Sequence, residues 1–225
     1  MDSTLRTQAR FGQRALLLTT AAVPLTGWAV HAVALHKKIA ASRRDPLTGL
    51  LRRDAYTARA RQVLRRHGDD TVVVLVDADD FKAVNDTLGH AAGDTVLAAY
   101  GARLTAWAGP RAVLGRLGGD EFAVVLDLPA DRREERLAQL IRMLRTPVVL
   151  DDDQVVNVAA SVGAASPDAI GSGDLSALQR ATDAALYDGK HSGRAVLATA
   201  AHTTVPSING RRAGRPGTAI WGQAA

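Results

Sequence analysis

The sequence contains no cysteine. This absence excludes disulfide bonds, zinc sites built from thiolates and catalysis by a cysteine nucleophile, and it fits a reducing compartment without proving one. Two other signatures are also missing. Without a Gly-x-x-x-x-Gly-Lys-Ser/Thr loop, phosphates are not held in the manner of P-loop proteins, and without His-Glu-x-x-His there is no helical zinc site of the metalloprotease type.

The composition that remains is typical of a globular protein. The 225 residues are 47% hydrophobic and 23% charged, which suits one domain of ordinary size with appendages and argues against a second large domain. The formal net charge is +5 and the isoelectric point is about 10.1. The positive excess lies at the chain ends and along one helix, so a polyanionic substrate, an anionic membrane face and simple solubility each explain it.

A stretch without Asp, Glu, Lys or Arg runs over residues 15–35. At about 21 residues it is long enough to cross a bilayer. We predict a transmembrane helix there, between a basic N-terminus (1–14) and a basic linker (36–44), and a single-pass location in the inner (cytoplasmic) membrane with the folded domain in the cytoplasm. The alternatives are a secretory signal cleaved after Ala32-Val33-Ala34 and a helix packed on a partner.

Apolar periodicity and turn residues predict helices alternating with strands over residues 45–198. The predicted helices are 53–67, 80–88, 92–107, 131–145 and 175–187; the predicted strands are 71–77, 148–150, 155–165 and 195–197, with a hairpin over 111–126. After Ala198 the chain is rich in Thr, Pro, Gly and Arg, which predicts a disordered basic tail over 199–225.

Acidic residues form two groups at predicted strand ends. Gly118-Gly119, between two apolar runs, indicates a tight hairpin turn because glycine reaches the positive φ that such a turn demands. One acidic group follows this turn, and the other ends a buried strand of β-branched residues. On neighbouring strands the two groups would form a site for a hard cation. They are Asp120 and Glu121, and Asp77, Asp79 and Asp80.

Six motifs follow one another in order between residues 44 and 198. They are Asp45-Pro46-Leu47-Thr48-Gly49-Leu50; Asp77-Ala78-Asp79-Asp80-Phe81-Lys82 with Asn85-Asp86; Gly89-His90-Ala91-Ala92-Gly93-Asp94; Gly118-Gly119-Asp120-Glu121-Phe122; Ser161-Val162-Gly163; and Asp183, Ala185-Leu186-Tyr187, Lys190 and Gly193-Arg194. In this order and spacing they resemble the diguanylate cyclase catalytic domain, the GGDEF domain. Several ordered motifs are a stronger signal than one pentapeptide.

The resemblance implies an α+β domain with a central, mostly antiparallel sheet flanked by helices, similar to the ferredoxin-like palm of nucleotidyl cyclases and polymerases. It implies that two GTP molecules are condensed to cyclic di-GMP with release of two pyrophosphates. Each domain would bind one GTP, so a homodimer is required for catalysis. Export is disfavoured because GTP is found inside cells. We expect membrane anchoring, no nucleic-acid binding and no contact with downstream cyclic di-GMP receptors.

Asp77 and Asp120 are the expected ligands of Mg²⁺, with Mn²⁺ as an alternative. Mg²⁺ binds one or two protein carboxylates together with phosphate oxygens and water, and it neutralises the charge that resists attack on the α-phosphorus. The resemblance adds the backbone carbonyl of Ala78 as a ligand and gives Asp120 the task of accepting the proton of the attacking 3′-hydroxyl. Glu121 is counted with the catalytic groups.

An alternative interpretation holds for the remaining two acids of the first group. Asp79 and Asp80 precede the helix predicted to begin at Phe81, and aspartate is common at helix N-caps. Capping is therefore as good an explanation of these two residues as chemistry.

The cationic residues of the motifs are the expected phosphate ligands. By resemblance, Lys82 stabilises the transition state, while Lys190 and Arg194 hold the terminal phosphates; ammonium and guanidinium groups suit both tasks. The alternative is a solvated basic face.

Three residues are expected to contact the guanine or its nucleotide. Asn85 and Asp94 resemble the family's guanine-reading pair, in which a carboxylate accepts from the ring N–H and the exocyclic amine, a donor pattern that adenine lacks. The resemblance also suggests a substrate contact for His90, with a structural role in its turn as the alternative.

The chain also departs from the family pattern. Gly109-Pro110-Arg111-Ala112 stands where many relatives carry an Arg-x-x-Asp product site, so feedback inhibition through that site is not expected. The Glu-Ala-Leu signature of the opposing phosphodiesterases is absent as well. Two other hypotheses remain: a catalytically silent domain that binds GTP or cyclic di-GMP and signals by contact, and a structural membrane adaptor.

Overall fold

The structure is a computed structural model that describes residues 28, 31, 43–190 and 192–204. The chain divides into two compact units, Met1–Arg43 and Arg44–Ala225. In the first unit the described residues are Trp28 and His31, both helical and exposed, and Arg43.

The prediction of a single-pass inner-membrane protein is wrong. Among the described residues, no helix combines the length and the apolar character needed to cross a membrane. The longest helix in that part of the chain, His90–Ala108, contains Asp94 and Arg103 and uses its apolar residues inside the domain. Apart from Trp28 and His31, the predicted span 15–35 and its signal-peptide alternative lie outside the described residues, so the N-terminal hydrophobic helix and membrane anchoring are not supported.

The second unit is built on a central sheet. Its strands are β1 (Leu51–Arg52), β2 (Thr71–Ala78), β3 (Val113–Arg116), β4 (Glu121–Asp127), β7 (Ala160–Ala165) and β8 (Ala195–Leu197), while β5 (Val148–Val149) and β6 (Val155–Val156) pair as a separate hairpin. The order across the sheet is β1-β3-β4-β2-β7-β8. The three inner pairings are antiparallel and the two outer pairings, β1 with β3 and β7 with β8, are parallel. A mostly antiparallel sheet is confirmed.

Helices cover both faces of this sheet. They are α1 (Arg53–His67), α2 (Phe81–Leu88), α3 (His90–Ala108), α4 (Arg133–Leu144), α5 (Pro167–Ile170) and α6 (Leu175–Gly189), with 3₁₀ turns at Gly68–Asp70, Ala130–Arg132 and Ala200–Thr203. Alternate residues of β2 serve opposite faces: Val74 belongs to the core under α3 and α4, and Leu75 to the core under α1 and α6. The mixed α+β architecture is the one that the motifs predict.

Two predicted elements have the bounds that the structure shows, and others differ for local reasons. Helix α1 ends because Gly68 adopts φ +56° and its N–H returns to the carbonyl of Leu64, and β8 is Ala195–Leu197 as predicted. The predicted strand 155–165 is interrupted at 157–159, where the carbonyl of Ala159 accepts from Tyr100 Oη at 2.8 Å and from the N–H of Asp79 at 2.9 Å.

The first residues of the predicted tail, 199–204, form a turn that contacts helix α6. At Ala200–Thr203 a 3₁₀ turn is capped reciprocally, with Thr199 N donating to Nδ1 of His202 at 3.0 Å. His202 Nε2 also lies 3.2 Å from Oδ2 of Asp188 in the last turn of α6. Residues 205–225, on which the rest of the tail prediction falls, lie outside the described residues.

Candidate active site

The two acidic groups meet at one end of β2. Strand register places Asp77 opposite Glu121 of β4 on one side and Ser161 of β7 on the other. The backbone N–H of Ala78 donates to the carbonyl of Asp120 at 3.2 Å. The structure therefore brings together Asp77, Ala78, Asp120 and Glu121, as the neighbouring-strand prediction requires.

Asp77 carries the electrostatic strain of this arrangement. Its side chain is only 16% exposed, and burial raises the pKa of the Asp77 carboxyl above its ordinary value. The Lys190 ammonium opposes this rise, whereas the negative charges of Asp120 and Glu121 add to it. Carboxylates that repel one another in a partly buried place are stabilised by a bound cation.

The oxygen donors at this site are of the type that a hard divalent ion prefers, although they are few. Within the described residues, no group of three or more His, Cys, Asp or Glu side chains is arranged to hold a metal. A magnesium ion needs only one or two protein carboxylates, because water and phosphate oxygens complete its shell. Asp77 and Asp120, with the carbonyl of Ala78, fit that requirement.

Lys190 is the one predicted phosphate ligand that contacts the acidic group. It directly follows α6, and its Nζ lies 3.3 Å from Oδ1 of Asp77. Arg194 is exposed four residues later, beyond a turn in which Ser192 Oγ donates to the carbonyl of Gly189 at 2.6 Å and accepts from the N–H of Arg194 at 3.1 Å. This turn connects Arg194 to Lys190, whose ammonium contacts the end of β2.

The hairpin between β3 and β4 is held by arginines that sequence reasoning missed. Arg116 donates through Nε and Nη2 to the carbonyl of Gly119, at 3.0 and 2.7 Å. Arg53, on α1, donates through Nε and Nη2 to the carbonyl of Leu117, at 3.0 and 2.6 Å. These bonds fix the backbone that carries Asp120. A signal was present in the sequence, since Arg116 lies directly before the turn, but its partner could not be read there.

The expected positive φ at the glycine pair is wrong. Neither Gly118 nor Gly119 has a φ in the left-handed region, because the connection is wider than a two-residue turn: the N–H of Leu117 donates to the carbonyl of Glu121 at 2.8 Å. At Gly118 a Cβ atom would lie 3.3 Å from Oε2 of Glu121. A side chain there would therefore crowd the glutamate.

Asp45, in the first motif, ties the start of the domain to this hairpin. Its Oδ1 accepts from the N–H of Thr48 at 2.9 Å, from Thr48 Oγ1 at 2.7 Å and from Arg116 Nη1 at 3.1 Å. Burial alone would raise the pKa of the Asp45 carboxyl, but the bonds from Thr48 and Arg116 prevail and hold it below its ordinary value. The motif is therefore a support for the site.

Asp79 and Asp80 do not cap α2 with their side chains. Asp80 occupies the N-cap position with φ +54° and makes no capping hydrogen bond through its carboxylate. Asp79 Oδ1 instead accepts from Ser161 Oγ at 2.7 Å. The capping interpretation is wrong because the left-handed turn at Asp80 directs the chain into the helix without a side-chain cap.

Lys82 is not brought to the acidic group. Its Nζ lies 2.6 Å from Oδ2 of Asp86, one turn further along α2, and both side chains are exposed. The hydrogen bond and charge of Asp86 raise the pKa of Lys82. To contact a phosphate, Lys82 must exchange this partner.

The proposed guanine-reading residues lie where α2 meets α3. The side chain of Asn85 packs on Gly93: a Cβ atom there would overlap Oδ1 of Asn85 and lie 3.0 Å from its Cγ. Asp94, the next residue, is exposed, as is His90 at the first position of α3. Asn85 thus lies against the residue that precedes Asp94, whereas no described contact connects His90 with either.

A cleft of about 410 Å³ borders this region. Phe81, Val84 and Tyr100 supply apolar walls, and Asp79 and Asp80 lie at its edge. Asn85 and Asp94 are not among its lining residues, so it is separate from the pair predicted to read the base.

Comparison with known proteins identifies the family. The sequence model described as "Diguanylate cyclase, GGDEF domain" matches residues 42–196. An uncharacterised 19.3 kDa protein of Streptomyces ambofaciens is 43% identical over 173 residues, which cover 76% of this chain and 91% of that protein. The diguanylate cyclase TpbB of Pseudomonas aeruginosa is 36% identical over 129 residues, 55% of this chain but only 30% of TpbB.

Solved structures agree with the sequence comparison. The GGDEF domain of TpbB from Pseudomonas aeruginosa superimposes with a TM-score of 0.65 at 33% identity, covering 71% of this chain and 96% of that one. Diguanylate cyclase SiaD, solved with its activator SiaC from the same organism, gives a TM-score of 0.64 at 32% identity, covering 88% of this chain and 78% of SiaD. With the family model matching most of the sequence, this chain belongs to the diguanylate cyclase GGDEF domain family.

Proposed function

We propose that this protein is a diguanylate cyclase that condenses two GTP molecules into cyclic di-GMP and releases two pyrophosphates. The observation that carries the proposal is the position of the half-buried Asp77 carboxylate. It lies opposite Glu121, next to Asp120, and in contact with Lys190. Such a grouping of carboxylates and a cation suits a nucleoside triphosphate with a divalent ion better than it suits a surface for protein contacts.

Asp77, Asp120 and the carbonyl of Ala78 would hold Mg²⁺ or Mn²⁺. The ion supplies neutralisation of the triphosphate charge and a lowered pKa for the attacking hydroxyl. The chain's own contribution is to position the proton acceptor. The Asp120 carboxylate accepts the proton of the 3′-hydroxyl while the 3′-oxygen attacks the α-phosphorus. The bond from that phosphorus to the bridging oxygen of the β-phosphate breaks, and pyrophosphate leaves.

Glu121 is proposed as a further catalytic carboxylate. It is the Cα partner of Asp77 and lies 3.8 Å, at Oε2, from Nη2 of Arg53. Arg53 also holds the hairpin carbonyl of Leu117. Glu121 is thereby kept beside the proposed ligands.

The cations would act on the phosphates. Lys190 and Arg194 would bind the terminal phosphates, and Lys82 the charge that develops in the transition state. Lys190 would then exchange Asp77 for a phosphate oxygen, and Lys82 would leave Asp86. Both exchanges replace one anionic partner with another.

Asn85 and Asp94 would select guanine, and His90 would contact the nucleotide. The contact of Asn85 with Gly93 supports the first pair because it brings the amide to the turn of α3 on which Asp94 is the next residue. For His90 the support is its place at the start of α3.

Catalysis would need two copies of the domain facing one another, each with one GTP. Holding two reactants in a defined orientation converts a rare encounter into an intramolecular one. A homodimer is therefore part of the proposed mechanism.

Incubation of the purified chain with Mg²⁺ and GTP, followed by chromatography of the products, tests the proposal. We expect cyclic di-GMP and pyrophosphate from the wild type and none from Asp120→Asn. Asp127→Asn, an exposed carboxylate at the opposite end of β4, is the matched control and should retain activity. GTP bound but unchanged would indicate a silent binding module, and neither binding nor turnover would reject a nucleotide function.

A further inference from the structure

Arg145 lies directly after α4 and packs on the turn between α6 and β8. The residue is exposed, and its N–H continues the helix by donating to the carbonyl of Ile141 at 3.1 Å. The guanidinium lies against Gly193: a Cβ atom there would lie 2.8 Å from Cζ and 3.0 Å from Nη1 of Arg145, and would overlap Nη2.

Gly193 leaves room for this guanidinium in two ways. It adopts φ +70°, a conformation that other residues rarely take, and it presents no side chain on the surface that Arg145 covers. The turn of which it is part begins with Lys190 and ends with Arg194. A third cation, supplied by a different element, therefore lies against the turn that carries the two proposed phosphate ligands.

The donors of Arg145 are available, unlike those of other arginines nearby. Arg103 donates to the carbonyls of Leu144 and Pro147, and Arg133 donates to Asp168. Within the described part of the chain, the Arg145 guanidinium donates no hydrogen bond and forms no ion pair. A planar guanidinium with free donors is suited to bidentate contact with phosphate oxygens.

We propose that Arg145 is a third cationic ligand of the terminal phosphates and makes the site selective for triphosphates over nucleotides with fewer phosphates. This inference rests on the proposed function, because it needs the Lys190 to Arg194 turn to lie beside the β- and γ-phosphates. A guanidinium at that turn contacts charge that GTP has and GMP lacks.

Equilibrium binding to the full chain in Mg²⁺ tests the inference. The ligands are GMP and, in place of GTP, an analogue whose α–β bridging oxygen is replaced by a methylene group, so that pyrophosphate cannot leave. For Arg145→Gln we expect the dissociation constant for the analogue to rise about tenfold, the size typical of losing charge-assisted bonds, while that for GMP is unchanged. Arg145→Lys keeps the charge without the fork and should give a smaller rise. Arg142→Gln, exposed three residues earlier on the same helix, is the matched control and should bind both nucleotides as the wild type does.

The outcomes distinguish failure of this inference from failure of the proposed cyclase function. If Arg145→Gln binds the analogue as tightly as the wild type, or loses affinity for the analogue and for GMP equally, the inference is overturned and the cyclase proposal stands. If the wild type itself neither binds nor converts GTP, both are overturned. Thermal melting reports whether Arg145→Gln folds. If it does not fold, Arg145→Lys tests the inference instead, and weaker binding of the analogue with unchanged GMP binding is then the supporting result.

Discussion

Lys190 Nζ and Asp77 Oδ1 are 3.3 Å apart although 113 residues separate them in the chain. The contact joins the residue after α6 to the end of the central strand. Its partners are a side chain proposed to bind phosphate and one proposed to bind a divalent ion. Each therefore partly neutralises the other.

Asp77→Asn should separate activity from stability. We expect cyclic di-GMP production to fall at least about a hundredfold, because a proposed ligand of the charge-neutralising ion is lost. Without metal, the melting temperature at neutral pH should rise. The pKa of Asp77 is raised in the folded chain above the ordinary 3.8, so the ionised carboxylate lowers stability once the pH exceeds its folded pKa.

A pH series of melting curves checks the sign. The stability gain of Asp77→Asn should shrink as the pH is lowered and should vanish below the ordinary 3.8, where the wild-type carboxyl is protonated in both states. A variant that is less stable than the wild type at neutral pH would contradict the burial argument. Asp127→Asn serves as the control.

Asp86→Asn should release Lys82. Because the Nζ to Oδ2 distance is 2.6 Å in an exposed i,i+4 pair, we expect only about a twofold rise in kcat, the scale of such pairs. Lys82→Gln should instead lower kcat about tenfold or more. Steady-state kinetics distinguish the two, and a fall in kcat for Asp86→Asn equal to that of Lys82→Gln would show that the pair acts as a unit.

Asp45→Asn should weaken the attachment of the first motif to the hairpin. Loss of the charged acceptor for Thr48 and Arg116 is expected to cost about 1 kcal/mol of unfolding free energy at neutral pH. The folded pKa of Asp45 is lowered, so its contribution is present above the ordinary 3.8 and is lost as the pH falls through the folded pKa. Denaturant melts at several pH values should show the difference from wild type vanish in acid.

Gly163→Ala should destabilise the fold at the contact between β7 and α6. A Cβ atom there would lie 2.6 Å from the backbone N and 2.8 Å from Cβ of Leu186, so helix α6 must shift. Overpacking of this kind typically costs about 2 to 3 kcal/mol. Gly119→Ala is the control, because a Cβ at Gly119 meets nothing within 4 Å; equal stability of the two variants would contradict the close approach.

Removing residues 1–40 should expose the requirement for two copies. If catalysis needs paired domains, any pairing by the N-terminal segment raises their effective concentration. The specific activity of residues 41–225 should therefore fall more at low than at high protein concentration. The same proportional loss at every concentration would count against this explanation.

The sequence predicted what local patterns determine. Helix α1 was predictable because Gly68 stops it, and the meeting of Asp77 with Glu121 followed from two strands whose ends carry acids. The positive φ of Asp80 could not be predicted, because nothing in a run of aspartates indicates which of them adopts a left-handed conformation.

Long-range side-chain partners could not be predicted either. The sequence suggests that Lys82 and Lys190 are cations of the site, yet one pairs with Asp86 and the other with Asp77. Arg145 belongs to none of the sequence motifs. Its packing on Gly193 depends on how α4 meets the turn between α6 and β8. Such contacts are set by tertiary packing rather than by local periodicity.

Strand β2 has antiparallel neighbours on both sides over residues 73–77. The amide hydrogens of this stretch should be among the slow ones to exchange with solvent, because successive N–H groups point alternately to β4 and to β7 and neither side of the strand is an open edge. The carboxylate of Asp77 thus extends from the end of a stretch of backbone that is paired on both sides. Under the proposed two-copy mechanism, the pairing of the domains is the step that can vary without deforming this strand.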